Sequence, residues 1–164
     1  MRDDADFDAY LAARWPFVVR SLVLIGCPQE EADDVARAGL ARCYAAWDRV
    51  RKADDVDAYV YGTVLDSWHR SRKPHWWSAA TVAERPASIP PEDATDLVLL
   101  RYALEAQLDR LTPEHREVLV LRFVADLTQT QVAEVLDVPV WTVEGRVAEA
   151  LTHLDLGALQ EVTG

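Results

Sequence analysis

Leu127-Thr128-Gln129-Thr130-Gln131-Val132-Ala133-Glu134-Val135-Leu136, then Asp137-Val138-Pro139-Val140, then Trp141-Thr142-Val143-Glu144-Gly145-Arg146-Val147-Ala148-Glu149-Ala150-Leu151, is the stretch that decides the fold. Apolar residues recur at steps of three and four on both sides of a four-residue break, the spacing of two short amphipathic helices. Ala133 is small where the helices should touch. Val138, Val143 and Val147 supply a core. This is the spacing of a helix-turn-helix. A plain αα-hairpin has the same periodicity and stays open as an alternative.

Working towards the N-terminus, Leu111-Thr112-Pro113-Glu114 opens a preceding helix, with Thr112 as cap and Pro113 at its first position. Val118, Leu119, Leu121 and Phe123 follow on it. Leu97, Leu100, Leu104 and Leu108 mark a helix before that. From Pro74 to about Asp96 the periodicity lapses, and Pro86, Pro90 and Pro91 stand among Ser, Ala and Glu, as in a linker.

The N-terminal part is periodic again. Phe7, Tyr10, Leu11, Trp15, Val18, Val19, Leu22 and Ile25 form one helical stripe, which Pro16 either kinks or divides. Gly26-Cys27-Pro28 breaks the chain. A helix from about Gln29 to Trp47 follows, with Glu30, Glu31, Asp33 and Asp34 suited to its positive end. Asp54-Asp55-Val56-Asp57 caps another, from about Val56 to Arg72. The expected fold is all-α: a helical domain at 1–77, a Pro-rich linker at 78–96, and a helix-turn-helix domain at 97–164.

Composition agrees. Of 164 residues half are hydrophobic and only six are Gly, which favours packed helices over disorder or a turn-rich β fold. The net charge of −11 repels nucleic acid at long range, so DNA binding needs a local basic patch or delivery by a partner. One dense basic-aromatic cluster exists: His69-Arg70-Ser71-Arg72-Lys73-Pro74-His75-Trp76-Trp77. Cations attract phosphate, and flat rings stack on unpaired bases at about 1–3 kcal/mol each. The same tryptophans also fit as packing groups.

Other classes find little support. Leu24-Ile25-Gly26-Cys27 looks like a lipoprotein cleavage box, but Asp3, Asp4 and Asp6 stand where a signal peptide is basic, and Arg20 interrupts the apolar run. No run is long and apolar enough to span a membrane. Cys27 and Cys43 have no metal-like spacing, and reduced, buried thiols of a cytoplasmic protein are expected. Asp33-Asp34 and Asp54-Asp55 are explained by capping or solvation. His69, His75, His115 and His153 have no ligand-like spacing, and no Gly-rich phosphate loop is present. No catalytic residue, cofactor or metal is assigned.

Two stretches resemble a known family, the extracytoplasmic-function sigma factors of bacteria, nearest the small actinobacterial kind. Glu31-Ala32-Asp33-Asp34-Val35 through Tyr44-Ala45-Ala46-Trp47, with Asp57-Ala58-Tyr59-Val60 and Trp68–Trp77, is similar to region two. Leu111-Thr112-Pro113-Glu114-His115-Arg116-Glu117-Val118-Leu119 through Leu151 is similar to region four. The resemblance implies that region two binds the β′ clamp helices of core RNA polymerase, here through Asp34, Arg37, Arg42 and Tyr44. It implies that region two also melts and holds the minus-ten strand, here through Arg70, Arg72, Lys73, Trp76 and Trp77. Region four would place its second helix in the minus-thirty-five major groove, with Trp141, Thr142, Glu144 and Arg146 facing DNA. An anti-sigma factor or another regulatory protein is a further partner of the kind the family has.

The chain also departs from that pattern. The family usually has Gln-Glu at Arg37-Ala38, arginines at Tyr61 and Gly62, and Asn at Asp66. It favours Gly, Ser and Lys at Asp137, Pro139 and Glu144, and often a cation at Glu149. After Arg122 the only full cation is Arg146, opposed by Glu134, Asp137, Glu144, Glu149, Asp155 and Glu161. Two functions follow: a sigma factor directing polymerase to promoters, or a degenerate sigma-like regulator that binds protein partners and has lost most promoter binding.

Overall fold

A computed structural model describes residues 4–72 and 89–163. Among them the chain is helical throughout, with no strand: α1 (Asp4–Ile25), α2 (Gln29–Ala45), α3 (Trp47–Val50), α4 (Val56–Ser71), α5 (Asp96–Asp109), α6 (Pro113–Phe123), α7 (Gln129–Leu136), α8 (Val140–Thr152) and α9 (Leu156–Thr163). The first four make one helical domain, and the last five make the domain with the helix-turn-helix.

Local chemistry explains most boundaries. α1 runs through Pro16 as a single helix, although a proline there removes one backbone bond. Its C-terminal half, Val18 and Ser21 to Ile25, is buried, so packing outweighs that loss. α2 stops at Ala45, and Trp47 starts the separate short α3. Asp55 caps α4 by accepting from the Ala58 amide at 2.9 Å. Thr112 caps α6 in the same manner from the His115 amide.

α2 and α4 cross very closely at Gly39. A Cβ there would lie 2.7 Å from Val64 Cα and 2.8 Å from Val64 Cγ2, so no larger residue fits without separating the helices. Around this crossing Val18, Leu22, Ala36, Leu40, Cys43, Val60 and Val64 are buried. Trp47 closes one end, 3% exposed, its ring 5.1 Å from Phe7 and 5.6 Å from Tyr10. Tyr10 donates to Asp57 Oδ1 at 2.7 Å and Arg14 to Oδ2 at 2.9 Å, which ties α1 to α4. Burial and this carboxylate push the Tyr10 hydroxyl's pKa well above the phenol range.

In the second domain α6, α7 and α8 enclose Val118, Leu121, Val132, Val143 and Ala150. α7 is started by a capping box: the Gln131 amide donates to Thr128 Oγ1 at 3.2 Å, and the Thr128 amide donates to Gln131 Oε1 at 2.7 Å. It ends at Asp137, which takes a left-handed conformation with φ 52°. Asp tolerates that region better than most residues, and glycine better still. Pro139 then starts α8.

The domains pack on each other, α1 against α6 and α4 against α7, within one continuous core. Val18, Ser21, Leu22, Ile25, Tyr61, Val64, Leu65 and Leu121 meet at this junction. Tyr61, where the resemblance expects an arginine, is 3% exposed there, and burial pushes its hydroxyl up to about 12. Gly62, the second expected arginine, has its missing Cβ 4.0 Å from Val135 Cα. A long cation in place of the buried Tyr61 would disrupt this contact, whereas a Cβ on Gly62 would meet Val135 only at ordinary van der Waals distance. His69 Nε2 and Glu117 Oε1, 2.6 Å apart, bridge the two domains at the rim.

Candidate functional site

Three surfaces carry the residues singled out in the sequence. The first is the outward face of α2. Asp34, Arg37, Ala38, Ala41 and Arg42 are all exposed, spaced by three and four, with Tyr44 half-buried at the edge. The Tyr44 hydroxyl donates to Asp4 at 2.7 Å, and its ring lies 5.0 Å from Phe7. Arg37 stands 6.0 Å over the Trp15 ring. So Asp34 and Arg37 project outward on one face, while Tyr44 is anchored to α1.

Arg42 is engaged elsewhere. Its guanidinium donates to Asp66 Oδ2 at 2.9 Å and to Ser67 Oγ at 3.2 Å, reaching across to α4. Arg70, one turn on, meets the same Asp66 oxygen at 3.0 Å. One carboxylate therefore holds a cation from each of two residue sets, the one that the resemblance implies for polymerase and the one that it implies for DNA. The Asp66–Arg70 pair has the i, i+4 spacing that a sequence shows. The Arg42 contact is non-local and does not appear in sequence.

The Arg42 hydrogen bond, with the nearby Arg70 charge, holds the Asp66 carboxyl below its ordinary 3.8. A depressed carboxylate contributes stability above the ordinary value and loses it as pH falls through the lowered one. Asp66 should therefore titrate below 3.8 by carboxyl-carbon NMR, and Arg42→Gln should move its midpoint upward. An unmoved midpoint would break this assignment.

The second surface is the end of α4. Arg70 and Arg72 are exposed. Arg72 lies 5.0 Å over the Trp68 ring, and Trp68 itself is buried in the core. Lys73, Trp76 and Trp77 lie outside the described residues.

The third surface is α8. Trp141 is 74% exposed. Glu144, Gly145, Ala148 and Glu149 are also exposed, whereas Thr142 and Arg146 are half-buried. Val143, Val147 and Ala150 face the core. The outward face thus carries the acids and an indole, and the lone arginine of the helix sits at its flank. Glu149 Oε2 lies 3.3 Å from His115 Nε2, and the His115 and His153 rings stack at 6.1 Å.

The sequence reading missed α9, which follows a half-turn after α8 and packs on α5. Its approach is fixed by the Asp155 amide donating to the buried Gln107 Oε1 at 3.0 Å. Two apolar residues placed on inner stripes, Phe123 and Leu97, are 61% and 77% exposed. No group of His, Cys, Asp or Glu that could hold a metal occurs among the described residues, and no described helix is long and apolar enough to cross a membrane.

Residues 107–155 match the family model described as Sigma-70, region 4. Relatives extend over more of the chain. The RNA polymerase sigma-E factor of Streptomyces coelicolor is 27% identical, covering 94% of this chain and 86% of its own. The ECF RNA polymerase sigma factor SigW of Bacillus subtilis is 25% identical over 71% of this chain and 70% of its own. Among solved structures, the sigma factor RpoE of Bartonella quintana, in complex with the anti-sigma factor NepR, superposes with a TM-score of 0.75 at 18% identity. That match covers 96% of both chains. CnrH, in complex with the cytosolic domain of CnrY, matches with a TM-score of 0.67 at 21% identity, over 99% of this chain and 92% of its own. Residues 107–155 thus carry a sigma-70 region 4, and the chain as a whole is similar to extracytoplasmic-function sigma factors, including an actinobacterial sigma-E factor along nearly its whole length.

Proposed function

We propose that the chain is a non-catalytic cytoplasmic factor that directs core RNA polymerase to promoters for transcription initiation. The observation that carries this is a sigma-70 region 4 within a chain that aligns with a sigma-E factor over 94% of its length. The division into 1–77, 78–96 and 97–164 is part of the proposal. The outward α2 face, with Asp34, Arg37, Arg42 and Tyr44, meets the β′ clamp helices. Arg70, Arg72, Lys73, Trp76 and Trp77 hold the melted minus-ten strand, and α8, with Trp141, Thr142, Glu144 and Arg146, is turned to the minus-thirty-five region. Polymerase supplies most of the affinity, so an acidic factor need not bind DNA well alone. Both solved relatives are held by another protein, one of them a named anti-sigma factor, which supports an inhibitory protein partner for this chain too.

A second reading rests on one observation. The exposed side of α8 bears Glu144 and Glu149 where a DNA reader bears cations. In that reading the chain keeps the fold as a regulator or decoy. Charge reversal on the exposed α2 face separates the two. Asp34→Lys and Arg37→Glu should each weaken pull-down of core polymerase while the helical circular dichroism is kept. Unchanged retention by both variants would favour the regulator.

A further inference from the structure

We propose that the exposed face of α8 is a docking surface for a basic amphipathic helix of a partner protein. The inference stands whether or not the chain directs transcription, because it uses only the face that α8 turns to solvent.

At about 100° per residue, Trp141, Gly145, Ala148 and Thr152 line one stripe of α8, opposite the buried Val143, Val147 and Ala150. Trp141 is 74% exposed, Leu151 is 41% exposed beside the stripe, and a Cβ on Gly145 would meet nothing within 4 Å. Glu144 borders the stripe on one side, about 60° round from Trp141, and Glu149 on the other, about 80° round. Arg146 lies about 140° from Trp141, towards the buried side.

A helix in a major groove has a phosphate wall along each flank, and here each flank carries a carboxylate. The same layout suits a different occupant. A large exposed indole beside small residues gives an anchor and a place for another helix's apolar side chains, the helix-in-groove mode. Acids on both borders match lysines or arginines flanking such a stripe. The field around it has the same sign: residues 123–161 hold seven carboxylates and one arginine, and Glu134 and Asp137 lie in the helix and turn leading into α8. That field speeds encounter with a basic partner and opposes a nucleic acid.

The test uses the full chain and a fluorescent 18-residue Leu/Lys peptide that forms an amphipathic helix. A shuffled peptide of the same composition, without the stripe, is the control. Trp141→Ala should weaken peptide binding by tenfold or more, and Glu144→Lys with Glu149→Lys by at least as much, with circular dichroism unchanged. Asp8→Lys with Asp93→Lys, exposed acids elsewhere, should change it less than threefold. Amide NMR shifts should concentrate on Trp141, Gly145 and Ala148. Equal binding of the shuffled peptide, or an equal loss from the Asp8 and Asp93 pair, would show generic attraction to an acidic protein and overturn the proposal. So would an unaffected Trp141→Ala.

Discussion

Trp47→Ala should cost the protein about 3–5 kcal/mol, the scale of emptying a buried tryptophan site. Trp47 is 3% exposed and packs edge-on to Phe7 and against Tyr10, so its loss opens a hole where α1, α2 and α3 meet. Those neighbours sit on helices already pinned by the Tyr10–Asp57 and Arg14–Asp57 bonds and cannot readily collapse inward. At roughly 2–4 °C per kcal/mol for a chain this size, Tm should fall by about 6–20 °C. Urea unfolding should show a lower midpoint with an unchanged slope. Trp141→Ala is the internal contrast: its indole is 74% exposed, and stability should stay within about 0.5 kcal/mol. Equal effects at the two tryptophans would contradict the packing described for the N-terminal domain.

Glu144→Lys together with Glu149→Lys should convert α8 from a repulsive to an attractive surface for duplex DNA. Both acids are exposed on the borders of the outward face, so both reversals act where phosphates would lie. Each new phosphate contact steepens the dependence of log affinity on log salt by about 0.9, so the pair should add about 1.8. Non-specific affinity at low salt should rise by one to two orders of magnitude on the same basis. If Glu144 accepts from a cytosine amino group, Glu144→Lys should also lower transcription from the native promoter while non-specific binding rises. An unchanged affinity at low salt would mean that α8 does not enter the groove by this face.

Much of the fold is legible in the sequence because it rests on local signals. Three-and-four periodicity places α2, α4, α6, α7 and α8, and Asp55, Thr112 and Pro113 mark helix starts that the structure keeps. The turn around Asp137 and Pro139 follows from the break between two apolar patterns. What escaped is non-local or short. α9 has eight residues, and its placement depends on Gln107, 48 residues away. Phe123 shares the spacing of the α6 stripe but is exposed at the helix end, with Arg122 5.4 Å over its ring, while Ala125 and Leu127 just beyond it are buried.

The site was legible as residue types more than as contacts. Asp34, Arg37 and Arg42 do share an exposed α2 face. That Asp66 would hold both Arg42 and Arg70 needed the packing of α2 on α4, which no spacing along one helix reveals. Tyr61 and Gly62 stand in sequence only as departures from the arginines usual in the family. In the folded chain they are contacts with α6 and α7, and their chemistry suits a domain junction.

Multi-round transcription with purified core polymerase, this chain and a library of promoter fragments from the source genome shows whether the chain directs initiation. A promoter-directing factor yields transcripts that require the chain, start downstream of a shared motif, and disappear with Asp34→Lys. Stable association with core polymerase but no chain-dependent start anywhere in the library, or no association at all, would contradict that role.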